Sequence, residues 1–457
     1  MKKIGKLKTY SSKEIKLSPI SIGFECLDRE LFNPEMCYDL IAKTGVKHAR
    51  CQTGWARCEK QKGVYDFRWL DSIVDNLILC GLTPWFNVGF GNPIYMPNLP
   101  NKTGVGCVPI YYGKEATEAW INFLKALTKH YQDKIEHYEI WNEPDVPDFW
   151  YPQKPNAIDY AKFVNISSTA IKTINPSAKI GISVATPYRF GFIKTTLDNL
   201  PEGSIDFFSY HTYTTIPECR YNQVVTFLRK CLDERGFTRT ELWQGEAGYP
   251  SWAYKGHWLV REGCDDERAQ AVWQLRRYFL DVYNGVKLSS FFQMADMWEK
   301  PYEKAVEVLN KPAAHGILNG RIYTPKKSYE TISNLSTIFS EGVLPAKEYL
   351  YVDILEVETT TLLSCQTMTF IKNDNVFYAY YLPLKLGTSH DISQIANIYT
   401  SQTIENPILI DPYTSEVFEL KKPDNIDGMF MHKNLPVKDY PLILADRGLF
   451  EIKDLII

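Results

Sequence analysis

Over roughly the first 340 residues, short apolar runs alternate with stretches of helical periodicity, and no other feature limits the fold as much. Parallel strands cannot be joined by a tight turn, and a helix is the usual crossover between them. Eight runs read as strands: Ile20–Phe24, Val46–Cys51, Thr83–Val88, His137–Trp141, Lys179–Ser183, Ile205–Tyr210, Glu241–Gln244 and Leu288–Met294. Several lack polar–apolar alternation, as expected of strands covered on both faces. Between them lie helical patterns. The first is bounded by Asn33 as cap, Pro34 at the first position and Gly45 after the last turn. The second begins near Asp66 and puts Leu70, Ile73, Val74, Leu77 and Ile78 on one face before Gly81. A third carries Ala116, Trp120, Phe123, Leu124 and Leu127, and others run through Asp159–Ile174, Gln223–Glu234, Asp266–Tyr283 and Ser328–Phe339. Eight strand–helix units predict a (β/α)8 barrel. The rival is a doubly wound open sheet, but no G-x-G-x-x-G follows the first strand.

The pattern changes after about residue 340, where short strands are separated by turn residues such as Asn373-Asp374-Asn375 and Pro412-Tyr413-Thr414-Ser415. This reads as an antiparallel β-sandwich. The expected domains are a barrel over 18–340 and a sandwich over 341–457, with residues 1–17 as a segment that could add a strand to the sandwich.

Charge and composition narrow the partners. Lys plus Arg is 51 against 54 Asp plus Glu, a formal net charge of −3, which leaves no electrostatic footprint for nucleic acid. No run approaches the roughly 18 apolar residues of a membrane span. The start, MKKIGKLKTYSSKEIKL, has lysines but no apolar core of a secretory signal. The ten cysteines contain no C-x-x-C pair and fit neither a disulfide framework nor a zinc site. They read as reduced thiols of a cytoplasmic protein, in which the sequons at Asn101, Asn165 and Asn334 carry no sugar. Aromatic residues reach 14%, enough for a large core and for sugar-stacking platforms as well.

In a (β/α)8 barrel, chemistry sits where the strands end. The fourth strand candidate runs into Trp141-Asn142-Glu143-Pro144, and the seventh into Gln244-Gly245-Glu246. Strands four and seven lie across the barrel from one another, so Glu143 and Glu246 can face each other over a sugar. Glycoside cleavage needs such a pair. The leaving oxygen must be protonated, and the oxocarbenium-like centre needs an anion or nucleophile opposite.

The segment Tyr138–Asp145 resembles the acid/base segment of clan A retaining glycoside hydrolases. Within the clan the chain is most like glycoside hydrolase family 39, the β-xylosidase and α-L-iduronidase family. The likeness rests on Arg50 closing strand two, Tyr65-Asp66-Phe67 with Leu70-Asp71, Gly81-Leu82-Thr83-Pro84-Trp85 and Phe149-Trp150. It continues through Ile205–Tyr213, Met294–Glu299 and His315–Leu318 to Pro325–Tyr329. Four positions depart from the family's pattern. Gln52 stands where a His is usual, Asn87 where a Glu is usual, and Gly245 and Ala247 flank Glu246 in place of Thr and an aromatic.

The resemblance implies roles residue by residue. Glu143 is the expected general acid/base and Glu246 the nucleophile. Asn142 holds the sugar 2-hydroxyl, Tyr213 hydrogen-bonds and orients Glu246, and Arg50 pairs with the nucleophile and keeps it ionised, unless Arg50 is only a structural ion pair at the mouth. His211 leaves strand six next to the nucleophile, or is a satisfied core histidine. Gln52 lines the pocket, Trp298 and Trp150 are the foremost sugar platforms, and Glu299 could bind a sugar hydroxyl. Trp55, Trp85, Trp252 and Trp258 are further loop tryptophans. The expected function is a retaining, exo-acting β-glycosidase on short oligosaccharides or glycosides, with no cofactor and no metal. A transglycosylase on the same site and a carbohydrate-binding pseudoenzyme are the alternatives. The sugar, the linkage and whether the chain forms a homo-oligomer stay open.

Overall fold

The structure is a computed structural model that describes residues 1–297, 313–355, 364–386 and 394–454. Eight parallel strands close a barrel: Ile20–Phe24, His48–Gln52, Thr83–Val88, His137–Ile140, Lys179–Val184, Phe207–His211, Glu241–Ala247 and Leu288–Phe291, called strands one to eight below. Strand eight pairs with both strand seven and strand one, which closes the ring. The floor of the interior is filled by Trp85, Phe207, Trp243 and Leu288, with Trp85 edge-on to Trp243 at 5.3 Å. Chemistry is therefore confined to the other end, where the strands stop.

Crossover helices cover the outside. Arg68–Leu79 buries Leu70, Ile73, Val74 and Leu77 on one stripe and is followed by Gly81 at φ 93°. A Cβ at Gly81 would lie 2.8 Å from the Lys13 backbone nitrogen, so the turn needs glycine for both conformation and space. Two expectations differ. The helix from Asn33 to Gly45 is broken into a 3-10 turn, Pro34–Met36, and a single α-turn, Tyr38–Ile41. Asn33 does cap, accepting from Glu35 N at 3.1 Å, but only Tyr38 and Ile41 are buried in that α-turn, too little apolar contact to hold a longer helix. After strand five comes a nine-residue helix, Phe190–Asp198, that the sequence pattern does not announce; its buried residues are only Ile193, Thr196 and Leu197.

The C-terminal part of the chain supplies most of an eight-stranded and all of a four-stranded antiparallel sheet. Lys2–Leu7 is part of the larger one, paired with Glu416–Glu419 on one side and Ile452–Asp454 on the other. The larger sheet packs on the last barrel helices. Glu267–Tyr283 is consequently buried almost all round, since the barrel lies on one side and the sheet on the other. Phe279 and Phe339 from the barrel helices meet Phe370 at 5.9 and 5.6 Å between ring centroids. Polar contacts flank this cluster: Lys372 Nζ donates to the carbonyls of Thr337 and Ile338 at the C-terminus of Lys327–Ile338. Arg268 pairs with Asp439 at 2.6 Å.

Candidate active site

The loop after strand four sets Glu143. Trp141 and Glu143 both take positive φ, 70° and 47°, costly for non-glycine residues and tolerated only when the surroundings fix them. Here Trp141 N donates to Val88 O at 3.1 Å, Trp141 Nε1 to Phe149 O at 2.7 Å, and Tyr160 Oη to Ile140 O at 2.8 Å. The tryptophan is thus an anchor, and the residue two positions on is turned into the mouth.

Strand seven sets Glu246. It extends to Ala247 and beyond the expected Gln244, so Glu246 belongs to the strand itself. Tyr210 pairs with Gln244 but His211 pairs with Glu246, so Gly245 is an extra residue, a bulge that re-aims the glutamate after it. A Cβ there would lie 2.0 Å from Ser209 Oγ, which accounts for the glycine.

The two carboxylates meet. One oxygen of each, together with a His211 nitrogen, lie within 4.8 Å of one another. His211 Nδ1 stands 2.7 Å from Glu143 Oε1 and 3.8 Å from Glu246 Oε2. Tyr213 Oη donates to Glu246 Oε1 at 2.5 Å, and Arg50 Nη1 to Glu246 Oε2 at 2.9 Å. These contacts separate the two acids. Burial pushes Glu143 above the usual carboxylate range, against the pull of His211. Burial also opposes ionisation of Glu246, but His211, Arg50 and Tyr213 outweigh it and hold its pKa below that range. Burial resists charge on His211 as well, yet Glu246 and Glu143 outweigh it and raise its pKa.

Arg50 is wholly buried and spent within the protein. It donates to Glu25, Glu139, Glu246 and Asn142, and so its N–H groups are taken up in positioning the carboxylates. Asn142 accepts that bond through Oδ1 at 2.9 Å, which leaves its amide N–H groups as the donors it can offer. Two acidic partners of Arg50, Glu25 after strand one and Glu139 inside strand four, have no counterpart among the residues the sequence singles out. A lone Glu beside an apolar run carries no signal of an arginine that is distant in the chain.

A cavity of about 540 Å³ opens onto Glu143 and Glu246. Its wall includes Phe149, Tyr213, Trp258, Phe292, Met297 and His315. Among the described residues, Trp258 is the tryptophan that faces it, edge-on to Tyr213 at 5.2 Å. His315 is 4% exposed, neither ring nitrogen has a protein partner among the described residues, and burial lowers its pKa to about 3, so it is neutral.

Other expectations need correction. Trp150 is not a platform: it is fully buried against Tyr160 and Phe163, and its Nε1 donates to Tyr111 Oη at 3.0 Å. Trp55 and Trp85 are likewise core. Gln52 does not offer its carbonyl to a sugar, because Oε1 accepts from Cys26 N at 3.1 Å and Arg29 Nη2 at 2.6 Å. Trp298 and Glu299 lie outside the described residues. Among the described residues, Glu143, His211 and Glu246 are also the one group whose donor atoms converge closely enough for a metal ion, but both Glu246 oxygens and His211 Nδ1 are already engaged in hydrogen bonds or ion pairs. No described helix is long and apolar enough to cross a membrane.

Residues 40–227 match the family described as glycosyl hydrolases family 39, a stretch that includes Glu143 and stops short of Glu246. A β-xylosidase of Geobacillus stearothermophilus is 25% identical over 171 residues, covering 34% of this chain and 32% of that protein. A β-xylosidase of Caldicellulosiruptor saccharolyticus is 24% identical over 169 residues, with 33% and 32% covered. The match thus spans about a third of the length of these relatives. Among solved structures, a family 39 β-xylosidase from Caulobacter crescentus superposes with a TM-score of 0.58 at 14% identity, over 96% of this chain and 98% of that one. A family 30 endoxylanase from Clostridium papyrosolvens C71 gives 0.59 at 11% identity, over 97% and 98%. Likenesses this remote establish the architecture, a barrel with an attached β-domain. Taken with the Trp141–Pro144 turn, the carboxylates on strands four and seven and the family match, they make the chain most like glycoside hydrolase family 39 of clan A.

Proposed function

We propose that the protein is a retaining glycoside hydrolase working by double displacement, with Glu246 as nucleophile and Glu143 as acid/base. The observation that carries this is the approach of one oxygen of each carboxylate to within 4.8 Å. A gap near 5–5.5 Å lets one carboxylate attack carbon directly, whereas inversion needs a wider gap to seat a water. Glu246, held ionised, attacks the anomeric carbon while Glu143, held protonated, gives its proton to the leaving oxygen. Glu143 then takes a proton from the water that releases the sugar. Asn142 offers its amide to the 2-hydroxyl. Residues 18–340 form the catalytic unit in this reading, and the β-domain with residues 1–17 supports it.

The named activity of the curated relatives makes β-xylosides the first substrates to try. Exo action on short oligosaccharides inside the cell is the reading we favour, since such substrates are small enough to be imported, and all ten cysteines are free thiols in the fold. A 2-fluoro glycoside with a very good leaving group tests the mechanism. Fluorine slows both steps, the leaving group rescues the first, and the adduct accumulates. Intact mass should rise by one fluorosugar mapped to Glu246, and Glu246→Gln should abolish it. Inverted product by NMR, or labelling of another residue, would overturn the assignment.

A further inference from the structure

Three carboxyl groups converge on one guanidinium at the base of the candidate site. Arg50 Nη1 donates to Glu25 Oε2 at 2.7 Å and to Glu246 Oε2 at 2.9 Å, while Nε and Nη2 donate to Glu139 at 3.0 and 2.5 Å. Arg50, Glu25 and Glu139 are 1% exposed or less, and Glu246 is 12% exposed. A single positive charge cannot offset three negative ones away from water. One of the three acids is therefore the natural place for a proton, and the hydrogen bonds around each decide which.

Glu139 Oε2 accepts twice from Arg50 and once from Asn87 Nδ2 at 2.8 Å. Glu246 accepts from Tyr213 on one oxygen and from Arg50 on the other, with His211 at 3.8 Å. Glu25 has one bond, to an Arg50 nitrogen it shares with Glu246, and its Oε1 is buried with no partner among the described residues. It is the acid least furnished to carry a charge. Glu25 Oε2 and Glu246 Oε2 take the same Arg50 nitrogen, at 2.7 and 2.9 Å, which sets the two carboxyl groups side by side.

We propose that Glu25 is kept as a neutral carboxylic acid that donates its proton to Glu246, and that it thereby serves as a positioning residue for the nucleophile. The groups facing it are Arg50 from strand two, Glu246 from strand seven, Tyr213 after strand six and Arg29 from the turn after strand one, the last already paired with Asp28, with Glu139 on strand four and His211 on strand six beyond them. Among the described residues after strand eight, the uncharged Gln293 comes near, its Cβ approaching the same Gly23 position as Glu25 Oε1. Burial pushes the Glu25 acid well above the usual carboxylate range, Arg50 opposes this, and Glu246 adds to it. The neutral carboxyl removes one surplus charge and gives Glu246 a further donor. Nothing in the hydrogen bonding of the described residues favours the reverse arrangement, because Glu246 has two other donors and Glu25 has none besides Arg50.

The effect on the nucleophile rests on the reading of Glu246 given above, whereas the protonation of Glu25 does not, and the experiment separates them. The first measurement is melting temperature against pH for wild type and Glu25→Gln. An acid whose folded pKa is raised lends stability below its unfolded value near 4.5, and loses it as pH rises toward the folded value. Wild type should thus lose ground to Glu25→Gln as pH climbs above about 4.5. A difference that is flat, or that turns in favour of wild type over this range, would mean that Glu25 folds as a carboxylate and overturns the proposal. This measurement needs no substrate, so it decides even if every glycoside proves inert.

The second is the acid limb of kcat/KM on an activated glycoside. Glu25→Gln keeps a neutral N–H donor in place, so the limb should stay where it is. Glu25→Ala and Glu25→Leu remove the donor, and the limb should move up by about one pH unit. A merely structural residue would lower the melting temperature and leave the limb in place. A downward shift in all three variants would show that a negative charge had been removed, and would overturn the proposal while leaving the nucleophile assignment intact.

Discussion

His211 Nδ1 lies 2.7 Å from Glu143 Oε1, although the two residues are brought in by strands six and four. The same nitrogen is 3.8 Å from Glu246 Oε2, so one imidazole spans both acids. This gives the pair its polarity. His211 and Arg50 favour charge on Glu246, while Glu143 has burial working against charge and no arginine beside it among the described residues.

The first prediction is the pH profile. Activity needs Glu246 ionised, with its pKa lowered, and Glu143 protonated, with its pKa raised. The kcat/KM profile should be bell-shaped, its acid limb below 4.5 and its basic limb above that value. Stability follows the same signs. Glu246 stabilises above its unfolded value and loses this as pH falls through the folded one. Glu143 stabilises below its unfolded value and loses this as pH rises. Glu143→Gln should therefore gain melting temperature relative to wild type as pH climbs above about 4.5, where the native acid holds a proton that the unfolded one has released. A sigmoidal profile with no basic limb would remove Glu143 from the acid role.

Tyr213→Phe takes one donor from the nucleophile and alters little else. A hydrogen bond to a charged acceptor contributes about 1.5–3 kcal/mol. The acid limb should move to higher pH, and kcat should fall by roughly 10- to 100-fold, more than KM changes. An unshifted limb would mean that the 2.5 Å contact does not tune Glu246.

Glu143→Ala should discriminate between leaving groups. A dinitrophenolate leaves without protonation, so the first step should suffer less than with natural glycosides, and release of the sugar should become slow. Azide should then accelerate turnover and yield a β-glycosyl azide. Equal losses on every leaving group, with no response to azide, would contradict the assignment.

What the sequence makes legible is what neighbours in the chain determine. Trp141 to Pro144 form one local turn, so Glu143 can be read with its flanks. Glu246 can be read because it comes after an apolar run, although the bulge at Gly245 cannot, since it depends on Ser209 in the adjacent strand. Trp150 occupies a loop position in the chain, which is why the sequence suggests an exposed platform. Its burial comes from Tyr160 and Phe163 of the following helix, whose packing no local pattern encodes. Glu25 is invisible for the same reason: its partners are Arg50 on the next strand and Glu246 on strand seven, both distant from it in the chain.

The β-domain should melt with the barrel. Phe370 links Phe279 and Phe339 of the barrel helices to Phe377 at 5.0 Å within its own sheet. Phe370→Ala removes this link and should destabilise by about 3–5 kcal/mol. The whole chain should still unfold in one calorimetric transition, shifted down, and deletion of 341–457 should give an aggregating barrel. Two resolved transitions in the variant, or a soluble and fully active truncation, would show that the sheet and the barrel fold independently.

His315 provides the last prediction. A buried neutral imidazole normally has both nitrogens satisfied, one donating and one accepting. Here neither finds a protein partner among the described residues, yet the residue borders the same cavity as Glu143 and Glu246. A sugar hydroxyl can meet either need, because it both donates and accepts. His315→Ala should therefore weaken kcat/KM by roughly 10- to 100-fold, the loss expected for a hydrogen bond made in a desolvated pocket. With its pKa at about 3, His315 should add no limb to the pH profile above pH 5. The cleaner measurement pairs the variant with deoxy substrates. Removing the hydroxyl that His315 binds should cost wild type heavily and His315→Ala little, whereas removal of any other hydroxyl should cost both alike. This pattern would also say which sugar position faces His315, and so narrow the sugar itself. Unchanged kinetics in His315→Ala, or equal losses across the whole deoxy series, would mean that the orphaned nitrogens do not read the substrate.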